Sequence, residues 1–279
     1  MTRSNTTHIA VVQRDSLRWL PDSPIASPAE VFSIELGKYF MDLRMYTEGE
    51  QSGTVDWAMA GIRQVLDGST EGEYQSHEPS SRAETHSLIR LNILLPDLTH
   101  LRFLNIIDYR QLHSEPLPAL PSSLINPEET ASSLSSTTPD DVTIQPISST
   151  TYLESGRMPN PDSSDPDTYT PFEEVWQRLS IRNDTPAILI ESIGGDSLGK
   201  AYLAQADRWR IGLMDTGSGK FHGWRDEHDG TCWQPIRTID ATSRNVITPL
   251  SEDMIDRAVE GEILRWADRD WVVRVKTRT

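Results

Sequence analysis

AILIESIGGDSLGKAYLAQADRWRIGLMDTGSGKFHGWRDE, residues 187–227, decides the fold class. It divides into short apolar runs: AILIESI (187–193), GKAYLAQA (199–206), DRWRIGLM (207–214) and GKFHGWRDE (219–227). Gly194-Gly195 and Gly217-Ser218-Gly219 supply the reversals between runs. No helix of crossover length separates the runs, which disfavours a parallel α/β sheet. Toward the C-terminus the pattern continues as CWQPIRTI (232–239), GEILRWA (261–267) and RDWVVRVKT (269–277), with Asp229-Gly230 and Ala267-Asp268 as connectors. Short strands at even spacing predict a closed antiparallel sheet.

The N-terminal half carries the same signal. Leu17 to Leu20 reads as a short strand. VFSIELGKYFMDLRMY (31–46) reads as one long or two short strands, with Gly37-Lys38 as the hairpin or bulge. Tyr39, Met41, Leu43 and Met45 alternate with Phe40, Asp42, Arg44 and Tyr46, the period of two that a strand requires. TVDWAMAGIRQVL (54–66) reads as a further strand or two, although its Ala-Met-Ala centre also suits a helix. EYQSHEPSSRAETHSLIRLNILL (73–95) resembles two strands around a bend at His77–Arg82, and LRFLNIIDYRQL (101–112) a strand or a buried helical turn.

Between 114 and 149 the chain is rich in Ser, Thr and Pro and can bury little apolar surface, so a long loop is expected. Thr170-Pro171-Phe172-Glu173 has the form of a capped helix start, and Phe172, Val175, Trp176 and Leu179 fall on one helical face, predicting one short helix over 172–179. The resulting fold class is mainly β: two consecutive antiparallel barrels, 1–165 with the insertion 114–149, and 166–279.

Composition narrows the function. The 279 residues carry a net charge of −16, which repels phosphate backbones and anionic membranes and argues against nucleic acid as a partner. The one cysteine, Cys232, excludes an intrachain disulfide. With an N-terminus lacking a signal-peptide core, a cytoplasmic location is expected. The most apolar stretch, 88–107, is broken by charged residues and Pro96, so no membrane span is expected. GGDSLGK (194–200) lacks P-loop spacing, and no zinc-ligand spacing or nucleophile elbow occurs. FHGWRDEHDG (221–230) gathers His and carboxylates, but at a hairpin tip, where solvated charge is usual. No cofactor and no metal are therefore expected.

Small barrels bind ligands with a few polar groups on an aromatic wall. Asp42, Arg44, His77 and Arg82 are the N-terminal candidates, and Arg208, Arg210, His222 and Trp224 the C-terminal ones. Trp57, Trp209 and Trp233 are candidate wall residues. Alternation places Trp209 and Arg210 on opposite faces and allows Arg208 and Arg210 to share one. The competing account is a structural tryptophan core with a charged outer face.

The segments SLRWLPDSP, GKYFMDLRMY, DWAMAG, ESGRMPNPDSSDPDTYTPFEEVWQRL and GEILRWADRDWVVRV resemble the fungal Hri family, over about two thirds of the chain. The 114–149 stretch has no counterpart there. The resemblance implies two dissimilar lipocalin-like β-barrels. Divergent fungal relatives resemble cofactor-free pericyclases that join a tropolone to a humulene-type sesquiterpene by a hetero-Diels–Alder reaction. By that resemblance the partners are apolar polycyclic or polyene small molecules, and an oligomer is compatible. His77 or His222 would serve as proton carrier and Arg44 or Arg210 would hold the tropolone oxygens. Asp42, Trp57, Arg82, Arg208, Trp209, Trp224 and Trp233 would line the substrate site. The alternatives are a non-catalytic carrier and an interaction protein with filled barrels.

Overall fold

The computed structural model describes residues 8–21, 24–66, 98–109, 140–160, 169–182, 185–193, 199–240 and 242–278. The first unit is a closed antiparallel barrel. Its strands are β1 (Ile9–Trp19), β2 (Ala29–Leu36), β3 (Tyr39–Tyr46), β4 (Val55–Val65), β5 (Thr99–Asp108), β6 (Asp140–Pro146), β7 (Thr151–Pro159) and β8 (Tyr169–Arg178). Neighbours in sequence pair in order, and β8 closes on β1 with Gln177 opposite Gln13. The β2–β3 hairpin turns at Gly37, whose φ of 58° suits a residue without a Cβ.

The second unit is a seven-stranded antiparallel sheet. It comprises β9 (Pro186–Ile193), β10 (Lys200–Ala206), β11 (Trp209–Asp215), β12 (Phe221–His228), β13 (Trp233–Thr238), β14 (Ile263–Trp266) and β15 (Arg269–Arg278). Their order is β13-β12-β11-β10-β9-β15-β14. Two short helices, α1 (Ser243–Val246) and α2 (Glu252–Arg257), interrupt the run between β13 and β14. Ser251 caps α2 by accepting from the Met254 N–H.

Alternation sorts the side chains into layers. Tyr39, Met41, Leu43 and Met45 point out of the barrel, and with Phe32, Ile34 and Leu36 of β2 they meet Tyr202, Trp209, Ile211 and Leu213 of the sheet in one cluster. Barrel wall and sheet thus share a core. The sheet's far face buries Ile188, Leu203, Met214, Trp224 and Trp271 beneath Ile247, Leu250, Ile255 and Ala258. Gly212 makes room there: a Cβ on it would stand 2.6 Å from the Trp224 ring.

Three local expectations are corrected. The helix over 172–179 is strand β8, hydrogen-bonded between β1 and β7. Its buried positions, Phe172, Glu174 and Trp176, recur every second residue. A carboxylate sits among them because arginines inside the barrel neutralise it, so the inward stripe does not read as apolar. This strand completes the first unit, although the 165/166 boundary gives it to the second. Residues 140–146, inside the expected loop, form β6 and pair with both β5 and β7. The C-terminal unit is an open sheet rather than a second closed barrel among the described residues, because 239–262 crosses the far face as a helical cover instead of adding strands. No helix among the described residues is long and apolar enough to cross a membrane.

Candidate functional site

Inside the barrel the inward residues of β1, β2, β3, β7 and β8 converge as charge. Glu174 is fully buried, and its Oε1 accepts from Arg14 at 2.6 Å and from Arg44 at 3.3 Å. Arg44 also donates to Asp42 Oδ2 through Nε at 3.2 Å and Nη2 at 3.0 Å. Its guanidinium lies 4.9 Å from the Trp57 ring centre, a cation–π contact. Trp57 Nε1 donates to Asp108 at 2.7 Å. On the opposite wall the Tyr152 and Trp176 rings stack at 6.3 Å.

Four buried polar atoms of this network have no hydrogen-bond partner among the described residues: Arg14 Nε, Asp42 Oδ1, Glu174 Oε2 and Trp176 Nε1. Each such atom costs about 1–3 kcal/mol when nothing satisfies it. Arg14, Asp42 and Trp176 line empty space, whereas Glu174 is packed behind it. A cavity of about 50 Å³ is lined by Asp42, Arg44, Trp57, Tyr152, Glu154 and Trp176, among others. A second cavity of about 440 Å³ adjoins it at the barrel mouth, lined by Arg14, Trp19, Tyr46, Glu48, Glu50 and Asp56. Arg44 and Met158 line both.

The protonation states follow from burial and neighbours. Glu154 lies directly opposite Glu174 across the β7–β8 pair, and two carboxylates so placed repel. Burial, then Glu174, pushes the Glu154 carboxyl well above the ordinary range, while the arginines serve Glu174. Both causes favour the protonated carboxyl. Burial raises Asp42 as well, against the pull of Arg44. Glu35 goes the other way: burial alone would raise it, but Arg63 and His8 hold it at about 2.

The candidates separate into groups. Asp42, Arg44 and Trp57 come together in the lumen. Arg210, Trp224 and Trp233 come together on the sheet's far face, with the Arg210 guanidinium 4.0 Å from the Trp233 ring and 5.6 Å from Trp224. Asp226 accepts there from Arg210 and Arg244, each at 2.8 Å. Trp209 faces the barrel, 6.4 Å from Phe32, so it and Arg210 do take opposite faces. Arg208 lies in the turn before β11 rather than in the strand, stacked 4.6 Å over Trp209, and lines no cavity with Arg210. His222 bonds Asp240 through Nδ1 at 3.0 Å on the sheet. His77 and Arg82 lie outside the described residues.

Arg44 and Arg210 therefore have a barrel wall and a sheet between them and cannot hold one substrate together. The His and carboxylates of 221–230 are spread over separate pairs, and no group of three potential metal ligands stands together among the described residues. Sequence reasoning missed Arg14, Glu154, Glu174, Tyr152 and Trp176. A period-two reading of 152–158 and 172–176 exposes the signal: Tyr152, Glu154 and Met158 on one strand, and Phe172, Glu174 and Trp176 on the next.

The comparisons agree on architecture. The family model described as Protein HRI1 matches residues 10–274. Among solved structures, that of an uncharacterized protein, YLR301w, from Saccharomyces cerevisiae is similar over 96% of this chain and 99% of its own. The TM-score is 0.63 at 13% identity, a likeness of fold alone. No curated protein matches.

Proposed function

The chain belongs to the Protein HRI1 family, and from that premise we propose that it is a small-molecule-binding protein whose ligand enters the barrel mouth and reaches Arg44. The observation that carries this reading is the pair of adjoining cavities, both lined by Arg44 and Met158, with a buried polar atom lacking a described partner on each of three lining residues, Arg14, Asp42 and Trp176. A barrel selected for stability alone fills its lumen with apolar side chains. This one holds a network of ionisable residues there, Arg14, Asp42, Arg44, Glu154 and Glu174 among them, and leaves space beside it. Trp19, Leu17 and Met158 give the mouth an apolar wall, and Arg44 and Asp42 form its polar floor. Polar groups fixing orientation within an apolar surround are what small-ligand sites share.

The test is native mass spectrometry of the protein with a set of neutral and charged fragments, repeated on Met158→Trp, which puts bulk at a residue lining both cavities. Binding to wild type and loss in the variant is the expected result. No bound fragment, or the same fragments bound by the variant, would sink the reading.

One observation favours a catalytic variant of the same site. A neutral Glu154 carboxyl beside Arg44, on an aromatic wall, pairs a proton donor with an anion-binding group, as dehydration of a hydroxymethyl tropolone to a quinone methide requires. The reacting pair would have to occupy the mouth, because the inner cavity has room for a few waters at about 10–15 Å³ each. Incubation with a hydroxymethyl tropolone and humulenol, followed by chiral chromatography, decides it. A single enantiomer formed above the background rate, and lost in Glu154→Gln, supports the cyclase; product at background rate and stereochemistry rejects it.

A further inference from the structure

Two acceptors of the lumen are short of donors, Asp42 and Glu154, which line the inner cavity with Arg44; Glu35 lines it too but is held by Arg63 and His8. Arg44 spends both of its contacts to Asp42 on Oδ2, leaving Oδ1 without a donor, although Asp42 is only 5% exposed. No described side chain donates a hydrogen bond to Glu154, which is 8% exposed. Glu48, Glu50 and Asp56 edge the mouth, so the approach is acidic too. The surrounding rings already receive cations: Arg44 over Trp57, and Arg178 5.4 Å from the Tyr152 ring centre.

We propose that the lumen is an ammonium site: it takes a small primary alkylammonium whose head is received by Asp42 Oδ1 and the Glu154 carboxylate, with its alkyl chain leading out past Met158. This deepens the small-molecule reading and rests on it. Size agrees, since about 50 Å³ admits a head group and the adjoining cavity takes a chain. An ammonium supplies three donors to a site short of donors. A neutral alcohol supplies one, and an anion would add charge to carboxylates.

Binding has a proton consequence. The groups facing Glu154 are Arg14 on β1, Glu35 on β2, Asp42 and Arg44 on β3, Asp140 on β6 and Glu174 on β8. Burial first, and then Glu174 across the strand pair, favours the proton on Glu154 while the site is empty. An ammonium beside Glu154 opposes both. The site shifts toward a carboxylate paired with the cation, and the proton it gives up leaves to solvent.

The experiment is isothermal titration calorimetry with n-butylammonium and with 1-butanol, each in phosphate and in Tris at pH 7. Buffers of different ionisation enthalpy reveal the proton count. The expected result is at least about tenfold tighter binding of the ammonium, a net release of protons on binding, and loss of that release in Glu154→Gln. Asp42→Asn provides a second variant, expected to weaken the ammonium by a larger factor than the alcohol. Equal binding of alcohol and ammonium, or ammonium binding without proton release in wild type, overturns the ammonium assignment and leaves the small-molecule reading standing. Failure of both ligands, together with a blank fragment set, overturns both.

Discussion

The lumen cluster of Asp42, Arg44, Glu174 and Arg14 and the far-face cluster of Arg210, Asp226 and Arg244 are built from the same parts. Each has arginines on a fully buried carboxylate, a tryptophan under a guanidinium, and carboxylate oxygens without a described partner: Asp42 Oδ1 and Glu174 Oε2 in the lumen, Asp226 Oδ1 on the far face. They differ in what covers them. On the far face Trp224 fills the notch over Gly212, and its Nε1 donates to Ile247 O at 2.8 Å. Arg244 comes from the helical cover itself and stays 29% exposed. In the lumen no described segment covers the cluster, and walls lined with charge face each other across a gap. A buried ion pair marks a site where space adjoins it and a structural joint where a cover has closed over it.

The largest effect tests that difference. Glu174→Gln leaves two arginines, with side chains 1% and 7% exposed, facing an uncharged amide. Breaking a buried pair this way costs about 3–5 kcal/mol, read as a lowered urea midpoint at unchanged slope. A loss under about 1 kcal/mol would mean that water already reaches these arginines. Glu35→Gln, in the same lumen, comes next at about 3 kcal/mol near pH 7. Here the sign follows from a depressed value. The carboxylate's contribution is complete above the ordinary glutamate value of 4.5 and disappears as pH falls toward about 2. Variant and wild type should converge over that interval, and a difference that persisted at its acid end would refute the Arg63 and His8 pairing as its source.

Asp226→Asn should cost less, about 1.5–3 kcal/mol, the scale of hydrogen bonds to charged groups. Arg244, the more exposed of its partners, can turn to solvent when the charge is gone. Urea unfolding of this variant beside Glu174→Gln sharpens the comparison, since equal losses would make the two clusters energetically alike and erase the distinction between covered and open.

The strands of the C-terminal unit were legible because Gly and Asp turns cut short apolar runs, and β2 and β3 because Gly37 divides a period-two pattern. Asp42, Arg44 and Trp57 were legible as one wall of the site, since alternation alone puts the charged pair on one face of β3. The other wall was hidden for a physical reason. Glu154 and Glu174 occupy inward positions that a hydrophobicity pattern reads as outward, and only partners distant in sequence, Arg14 and Arg44, make the inward position tenable. The same carboxylate turned β8 into an apparent helix, because Phe172, Val175, Trp176 and Leu179 fit a helical face once Glu174 is taken as solvent-exposed. Closure was equally non-local: nothing within 239–262 announces that it will cover a sheet instead of extending it.

Glu154→Gln lies at the low end of the scale, where the expected change is a gain. With its value raised in the folded barrel, Glu154 keeps its proton there at pH values where the unfolded chain has lost it. The unfolded state then binds fewer protons, so stability falls as pH rises from about 4.5 through the folded value. Glutamine keeps the shape of the neutral acid and carries no such penalty. Unfolding midpoints of variant and wild type should coincide near pH 4 and separate above it in the variant's favour, opposite in sign to Glu35→Gln in the same lumen. A loss at pH 7 that grew with pH would mean that Glu154 is ionised and paired in the empty barrel, and the lumen would then be a closed ionic joint like the far face.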